Sequence, residues 1–413
     1  MFKKLLYGLA LGLTFVSTFH VSAESFDVPA KHAIAVEERT GKILYEKDAD
    51  TVAGVASITK ILTVYMVYKE IDQGKLSWDS KVKISDYAYN LTASSTASNV
   101  PMEARKYTVK QLVNAAMVAS ANSAAIALAE KIAGSESKFV DMMSQQLKEW
   151  GITDAKLVNS SGLNNSLLGD NIYPGSSETD ENMLSATDVA IIARHLVTEY
   201  PDILKITSQT TAKFGDITMN TYNLMLKDMP LYRDGIDGLK TGTTDLAGAS
   251  FVATSNENGM RVISVILNAD NWEENDYARF QATVKLLNYV TDKYDYTTIL
   301  NSGDSYKNKS LAVKDGKNKT VKAVPKTDFK AVTLKNPDKE NSLKITTKSK
   351  NIYAPLKKGQ TIATATYEDS DKVGKGYLDA LPSVQLVAKK EVKRSFFLKV
   401  WWNHFIDYVN EKL

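Results

Sequence analysis

The run from Val55 to Tyr68, "VASITKILTVYMVY", leaves almost no side free for water. Ile58, Ile61, Leu62, Val64, Tyr65, Met66, Val67 and Tyr68 surround the helix that the run predicts, from Ser57 to a stop at Gly74. Such a helix is buried whole, so the chain must build layers around it. Yet Ser57 stands at its start, and Lys60 follows one turn later. At i and i+3 the hydroxyl and the amine leave one face, and a backbone N–H at a helix N-terminus is free to donate. A serine is a weak nucleophile until a base takes its proton. A lysine is that base only when neutral, a state favoured by burial and by a second nearby cation. Taken alone, the pair fits an N-cap with an exposed lysine just as well.

The flanking pattern says what the layers are. "HAIAVEERTGKILYEKDAD" alternates on both sides of Arg39-Thr40-Gly41, a β-hairpin signal. Lys110 to Ala133 is helical but broken at Ser120-Ala121-Asn122. Residues 156–182 are rich in Asn, Ser, Gly and Asp and read as a long loop, of the kind that is functional or disordered. "SATDVAIIARHLV" opens a helix with Ser185 or Thr187 as its cap. Three strand-like runs follow, "GIDGLKTGTT", "GASFVATSNENG" and "MRVISVILNA", with a hairpin turn at Asn258-Gly259. A helix, "ARFQATVKLLNYVTDKY", closes this unit near residue 295. Strands at both ends with helices between predict an α+β fold, one antiparallel sheet covered by helices. Beyond 298 the chain turns to Lys, Asp, Asn and Thr with short β-prone runs, a small all-β domain over 298–388.

The 413 residues suit more than one domain. No cysteine is present, which excludes disulfides, thiol nucleophiles and cysteine metal sites. A net charge of +3 gives no reason to expect nucleic acid as a partner. Lys3 and Lys4, the run "LLYGLALGLTFV" and Val21-Ser22-Ala23 read as a signal peptide over 1–23, hence export across the cytoplasmic membrane. The chain ends, over 389–413, with Lys389, Lys390, Lys393 and Arg394 ahead of an aromatic helix. There Lys399, Asn403, Asp407 and Asn410 form a narrow polar stripe, and Phe397, Trp401, Trp402, Phe405 and Val409 cover the rest. Too interrupted to span a bilayer, the helix suits the membrane interface on its outer face, through residues 394–413. The competing reading docks it on the β domain.

Ser57-x-x-Lys60 has company. Ser120-Ala121-Asn122 sits where a loop presents side chains, and Lys240-Thr241-Gly242-Thr243 sits in a strand. S-x-x-K, S-x-N and K-T-G, in that order, resemble the low-molecular-mass penicillin-binding proteins of the D-alanyl-D-alanine carboxypeptidase type, over roughly residues 30–290. "VNSSGL", through Asn159 and Leu163, resembles their Asn-x-x-Gly-Leu segment. The resemblance implies a penicillin-binding catalytic domain over 24–297, the β domain and the anchoring helix. It implies that Ser57 attacks the bond between the two D-alanines of a peptidoglycan stem pentapeptide and that β-lactams acylate the same serine as inhibitors. It gives Lys60 the proton of Ser57 and Ser120 the relay to the leaving amine, with Lys240 holding that hydroxyl. It gives Asn122 the substrate amide, Gly242 room for an added peptide strand, Thr241 and Thr243 the terminal carboxylate, and the N–H groups of Ser57 and Thr243 the oxyanion. No cofactor and no metal is implied.

Rival chemistries fare worse. His20 falls in the signal and His404 in the tail, while His32 and His195 read as structural. No G-x-S-x-G elbow and no H-E-x-x-H helix occurs. Two alternatives stay open: a class A-like β-lactamase, and a wall-associated binding protein with an inactive site. For the first, "ETDEN" at Glu178–Asn182 has Glu181 where a leucine belongs, and reads as an acidic solvated loop.

Overall fold

The computed structural model describes residues 26–337 and 342–412; the signal reading of 1–23 lies outside them. Strands β1 (Ala30–Glu37) and β2 (Ile43–Lys47) form the expected hairpin. With β3 (Ile236–Thr244), β4 (Gly248–Glu257) and β5 (Met260–Ala269) they make one antiparallel sheet in the order β2-β1-β5-β4-β3. The first strand thus lies beside the fifth, with Ile34 opposite Val265. Asn258 and Gly259, at φ +54° and +84°, turn β4 into β5 with the two positive φ values that a tight hairpin needs.

Alternation divides the sheet into two faces. Ile34, Val36, Val252, Ile263 and Val265 meet the helical lobe: α1 (Lys60–Asp72), α2 (Val109–Val118), α3 (Asn122–Ala133), α4 (Glu136–Glu149) and α5 (Ala186–Glu199). Ala33, Phe251, Ala253, Val262 and Ile266 meet α6 (Ala278–Lys293) on the other side. Helix α1 is buried at every residue from Lys60 to Tyr68, as its all-round apolar sequence demands. It begins at Lys60, not at Ser57. Ala56 takes φ +46°, and Ala56–Thr59 forms a separate 3₁₀ turn that carries the serine. Ser185 caps α5 in a reciprocal box with Asp188, while the Thr187 hydroxyl is spent on Asp50. Helix α4 went unpredicted; Ser135 caps it.

Strands β6 (Tyr294–Leu300), β7 (Ser310–Ala312), β8 (Thr320–Pro325), β9 (Phe329–Leu334), β10 (Ser342–Thr347), β11 (Thr361–Glu368) and β12 (Ser383–Ala388) follow. β6 runs on from α6 and pairs with β9, and the others form a sheet in the order β7-β8-β12-β11-β10. Their own core includes Val321, Ala331, Tyr367 and Leu386. The two units meet at a buried ion pair, Lys42 Nζ to Asp369 Oδ2 at 2.7 Å. Lys42 also donates to the Val332 carbonyl, and the Tyr377 hydroxyl donates to Asp369. Helix α7 (Phe397–Lys412) closes the chain. Val400 is buried at its root and His404 lies 3.0 Å from Asp315, but Phe397, Trp401 and Trp402 are 68%, 64% and 56% exposed. Side chains of two stripe residues, Asp407 and Asn410, fall outside the description. Among the described residues no helix is long and apolar enough to cross a membrane.

Candidate active site

Lys60 is fully buried, and its Nζ meets three oxygens: Ser57 Oγ at 2.8 Å, Asn122 Oδ1 at 2.6 Å and the Ser161 carbonyl at 2.7 Å. Burial, and then the nearby Lys240 ammonium, hold its pKa well below the ordinary lysine range, with Glu136 pulling the other way. A neutral amine has two N–H bonds and one lone pair. The two carbonyl oxygens can only accept, so they take both N–H bonds. The lone pair is left facing the Ser57 hydroxyl, the arrangement of a general base beside its nucleophile.

Ser120 stands at φ +56° in the break between α2 and α3, and its side chain lines the same cavity as Ser57. Asn122, 2% exposed, is engaged at both ends: Oδ1 accepts from Lys60 and Nδ2 donates to the Ser98 carbonyl. It holds Lys60 here, where the sequence reading gave it to the substrate. Lys240, buried on β3, donates to the Thr241 carbonyl at 2.9 Å rather than to Ser120. Burial first, and Arg279 second, lower its pKa to about 7. Gly242 has a reason the sequence did not show. A Cβ there would meet the Val55 carbonyl at 2.8 Å and the Ala56 Cβ at 3.2 Å, so β3 lies directly against the turn that carries Ser57.

A cavity of about 470 Å³ joins these parts, lined by Ser57, Ser120, Thr241, Gly242, Thr243 and Arg279. Arg279, from α6, went unread in the sequence. Its guanidinium donates to the Gly242 carbonyl at 2.9 Å and to Thr243 Oγ1 at 2.7 Å, which sets a fixed cation beside the K-T-G strand. Only its place, in the first turn of an amphipathic helix, was visible in the sequence, and there it looks like a surface charge.

The loop over 156–182 packs under the turn that carries Ser57. Asn159 Oδ1 accepts from the N–H groups of Ser161 and Gly162. Gly162 stands at φ +81°, and a Cβ there would fall 1.8 Å from the Ala56 carbonyl oxygen. Glu178 is exposed, as a solvated loop requires. The other end of "ETDEN" departs from that reading. Glu181 is buried and accepts from Thr244 Oγ1 at 2.6 Å, and Asn182 donates to Thr59 Oγ1 at 2.9 Å. These polar side chains go inside because the loop's backbone and the neighbouring hydroxyls need partners there. His195 stacks on Trp150 at 4.1 Å and contacts Glu199, a structural histidine.

A family model described as D-alanyl-D-alanine carboxypeptidase matches residues 18–271, well over half of the chain. The chain belongs to the D-alanyl-D-alanine carboxypeptidase family. A second model, the C-terminal domain of penicillin-binding protein 5, matches residues 294–394. D-alanyl-D-alanine carboxypeptidase DacF of Bacillus subtilis (strain 168) is 30% identical over 379 residues, 89% of this chain and 87% of that protein. The crystal structure of a peptidoglycan synthesis regulatory factor (PBP3) from Streptococcus pneumoniae is 52% identical with a TM-score of 0.84, covering 89% of this chain and all of that one. Penicillin-binding protein D2 from Listeria monocytogenes, solved in an ampicillin-bound form, is 28% identical with a TM-score of 0.54, over 64% of this chain and 98% of that one. The carboxypeptidase is a serine peptidase with a penicillin-binding-protein fold and a separate C-terminal all-β unit, as the three motifs led us to expect.

Proposed function

We propose that Ser57 is the acylated nucleophile and Lys60 its base, in a D-alanyl-D-alanine carboxypeptidase that trims peptidoglycan stem pentapeptides. The observation that carries this is the Lys60 amine, 2.6 and 2.7 Å from two carbonyl oxygens and 2.8 Å from Ser57 Oγ. Lys60 takes the Ser57 proton as Oγ attacks the carbonyl between the D-alanines. The N–H groups of Ser57 and Thr243 receive the oxyanion, a contribution of about 3–4 kcal/mol per donor in such sites. Arg279 and the hydroxyls of Thr241 and Thr243 take the terminal carboxylate. Ser120, which lines the same cavity, passes the proton to the departing amine, and Lys240 helps that transfer. Water then releases the shortened peptide by the reverse path.

The same logic makes β-lactams inhibitors. The opened ring stays tethered to the acyl group, so the leaving amine blocks the path for water. Glu178, exposed and without the right neighbours, supplies no deacylating base, which disfavours the β-lactamase reading. In this proposal residues 1–23 are removed on export, 24–297 catalyse, 298–388 form the β domain, and 389–413 hold the enzyme to the outer face of the membrane. The exposed aromatic residues of α7 support that anchor. The deciding experiment is intact-protein mass spectrometry after mixing with penicillin. A covalent adduct on Ser57 that outlasts many peptide turnovers is expected, and Ser57→Ala should lose both the adduct and D-alanine release. D-alanine release by Ser57→Ala at a comparable rate would overturn the assignment. Adduct decay as fast as peptide turnover, lost in Glu178→Gln, would make the protein a β-lactamase.

A further inference from the structure

Behind Lys60 lies a carboxylate that neither the motifs nor the reaction scheme uses. Glu136, the first residue of α4, is buried and accepts three hydrogen bonds: from the Ser160 N–H at 2.8 Å, the Ser160 hydroxyl at 2.6 Å and the Tyr87 hydroxyl at 2.8 Å. Ser160 is pinned again at its carbonyl by the Thr63 hydroxyl, 2.6 Å away. The next residue, Ser161, offers the carbonyl that holds one N–H of Lys60. A continuous chain of short contacts therefore runs from Glu136 through Ser160 and Ser161 to the amine.

We propose that Glu136 is a positioning residue for the Ser57–Lys60 pair, aiming the Lys60 lone pair through the Ser160–Ser161 turn. Nothing else in the site needs a carboxylate at this place. Two of its three hydrogen bonds hold Ser160, whose neighbour Ser161 touches Lys60, and the third comes from Tyr87. Burial raises the Glu136 pKa, while the hydrogen bonds from Ser160 and Tyr87 lower it; its ionised form has a second effect. Lys240, from the sheet, opposes the ammonium form of Lys60, and Glu136 favours it. The two together keep the amine neutral yet basic enough to take a proton. Around Glu136 itself stand Lys60, Tyr87 and the half-buried Glu130 of α3.

The inference rests on Lys60 being the base, and the test separates the two ideas. Appearance of the penicillin adduct on Ser57 is followed against pH in the full-length chain, together with kcat and KM on a D-alanyl-D-alanine peptide. Glu136→Gln keeps acceptors for Ser160 but removes the charge. The acid limb of its rate profile should move down by about one pH unit, a tenfold gain relative to its own plateau at a fixed acidic pH. Glu136→Ala frees the turn, so its plateau should fall by about 10²-fold in kcat with KM little changed. Tyr87→Phe removes one donor and leaves the fold intact, and should move the limb the same way by less. A lower melting temperature with an unchanged limb and plateau in these variants would overturn the proposal, leaving Glu136 merely structural. An adduct on a residue other than Ser57 would instead overturn the catalytic reading itself.

Discussion

Gly162→Ala should disable this enzyme without touching its motifs. The new Cβ would sit 1.8 Å from the Ala56 carbonyl oxygen, against an ordinary contact of 3.4 Å or more, on a backbone at φ +81°. Two costs follow. The left-handed backbone costs an alanine about 1–2 kcal/mol, and the clash costs a further ~1–3 kcal/mol as the neighbour retreats. The neighbour is the carbonyl just before Ser57, so the retreat moves Ser57 by more than an ångström relative to Lys60. Displacements of that size typically cost about 10²-fold in rate. The assay pairs thermal unfolding with the rate of penicillin adduct formation. The expected result is a melting temperature lower by roughly 5–20 °C and acylation slowed by about two orders of magnitude. Gly134→Ala is the control: it too has a positive φ, +82°, but nothing lies within 4 Å. It should show the backbone cost alone, with acylation unchanged. If the two variants acylate alike, the close packing of Gly162 under Ala56 does not hold Ser57 in place, and the reasoning fails.

Deleting residues 394–413 should abolish co-sedimentation with anionic vesicles while leaving D-alanine release from soluble peptides unchanged; a truncated protein that still pellets with vesicles would refute the anchor. Lys240 is protonated up to about pH 10.4 when unfolded and neutral above about 7 when folded, so unfolding takes up a proton between those values. Stability should therefore rise with pH through that window on its account, and Lys240→Met should flatten the rise by close to one proton per molecule, measured as the pH dependence of the melting temperature. Lys42→Met strands Asp369 in the joint between the two units, at a cost of about 3–5 kcal/mol. Calorimetry should then show the β unit melting ahead of the catalytic unit, with acylation intact; a single unshifted transition would show that the ion pair does not couple them.

Much of this was legible in the chain. Period-two alternation named β1 to β5, and the all-round apolar run named a buried helix, because both are local patterns. Three short motifs were enough to name the family. What stayed hidden depends on contacts between distant segments. Arg279 reaches the K-T-G strand from a helix whose sequence looks like an ordinary surface face. Glu136 looks like an acid favouring a helix start, and only the fold brings Ser160 to it. Lys42, just after the Thr40-Gly41 turn, has every local mark of an exposed hairpin residue but is buried against the β unit. Gly242 was read as room for substrate, while the nearer constraint is the turn packed behind it. Residue type suggested chemistry; whether each charge found water or a partner was decided by tertiary neighbours.

The sheet order carries a consequence for how the molecule is made. β1 has β5 as an inner neighbour, so the strand ending at Glu37 cannot zip until Val262 and the residues after it exist. At synthesis rates of roughly 5–20 residues per second, that wait is on the order of ten to forty-five seconds. Through that interval helix α1 has no sheet to lie on, and its apolar sides have no lasting cover. Contacts this far apart in sequence also slow the closing step itself. The active site is therefore among the last things to form, and a nascent chain stays loose and threadable until nearly all of its catalytic unit has been made.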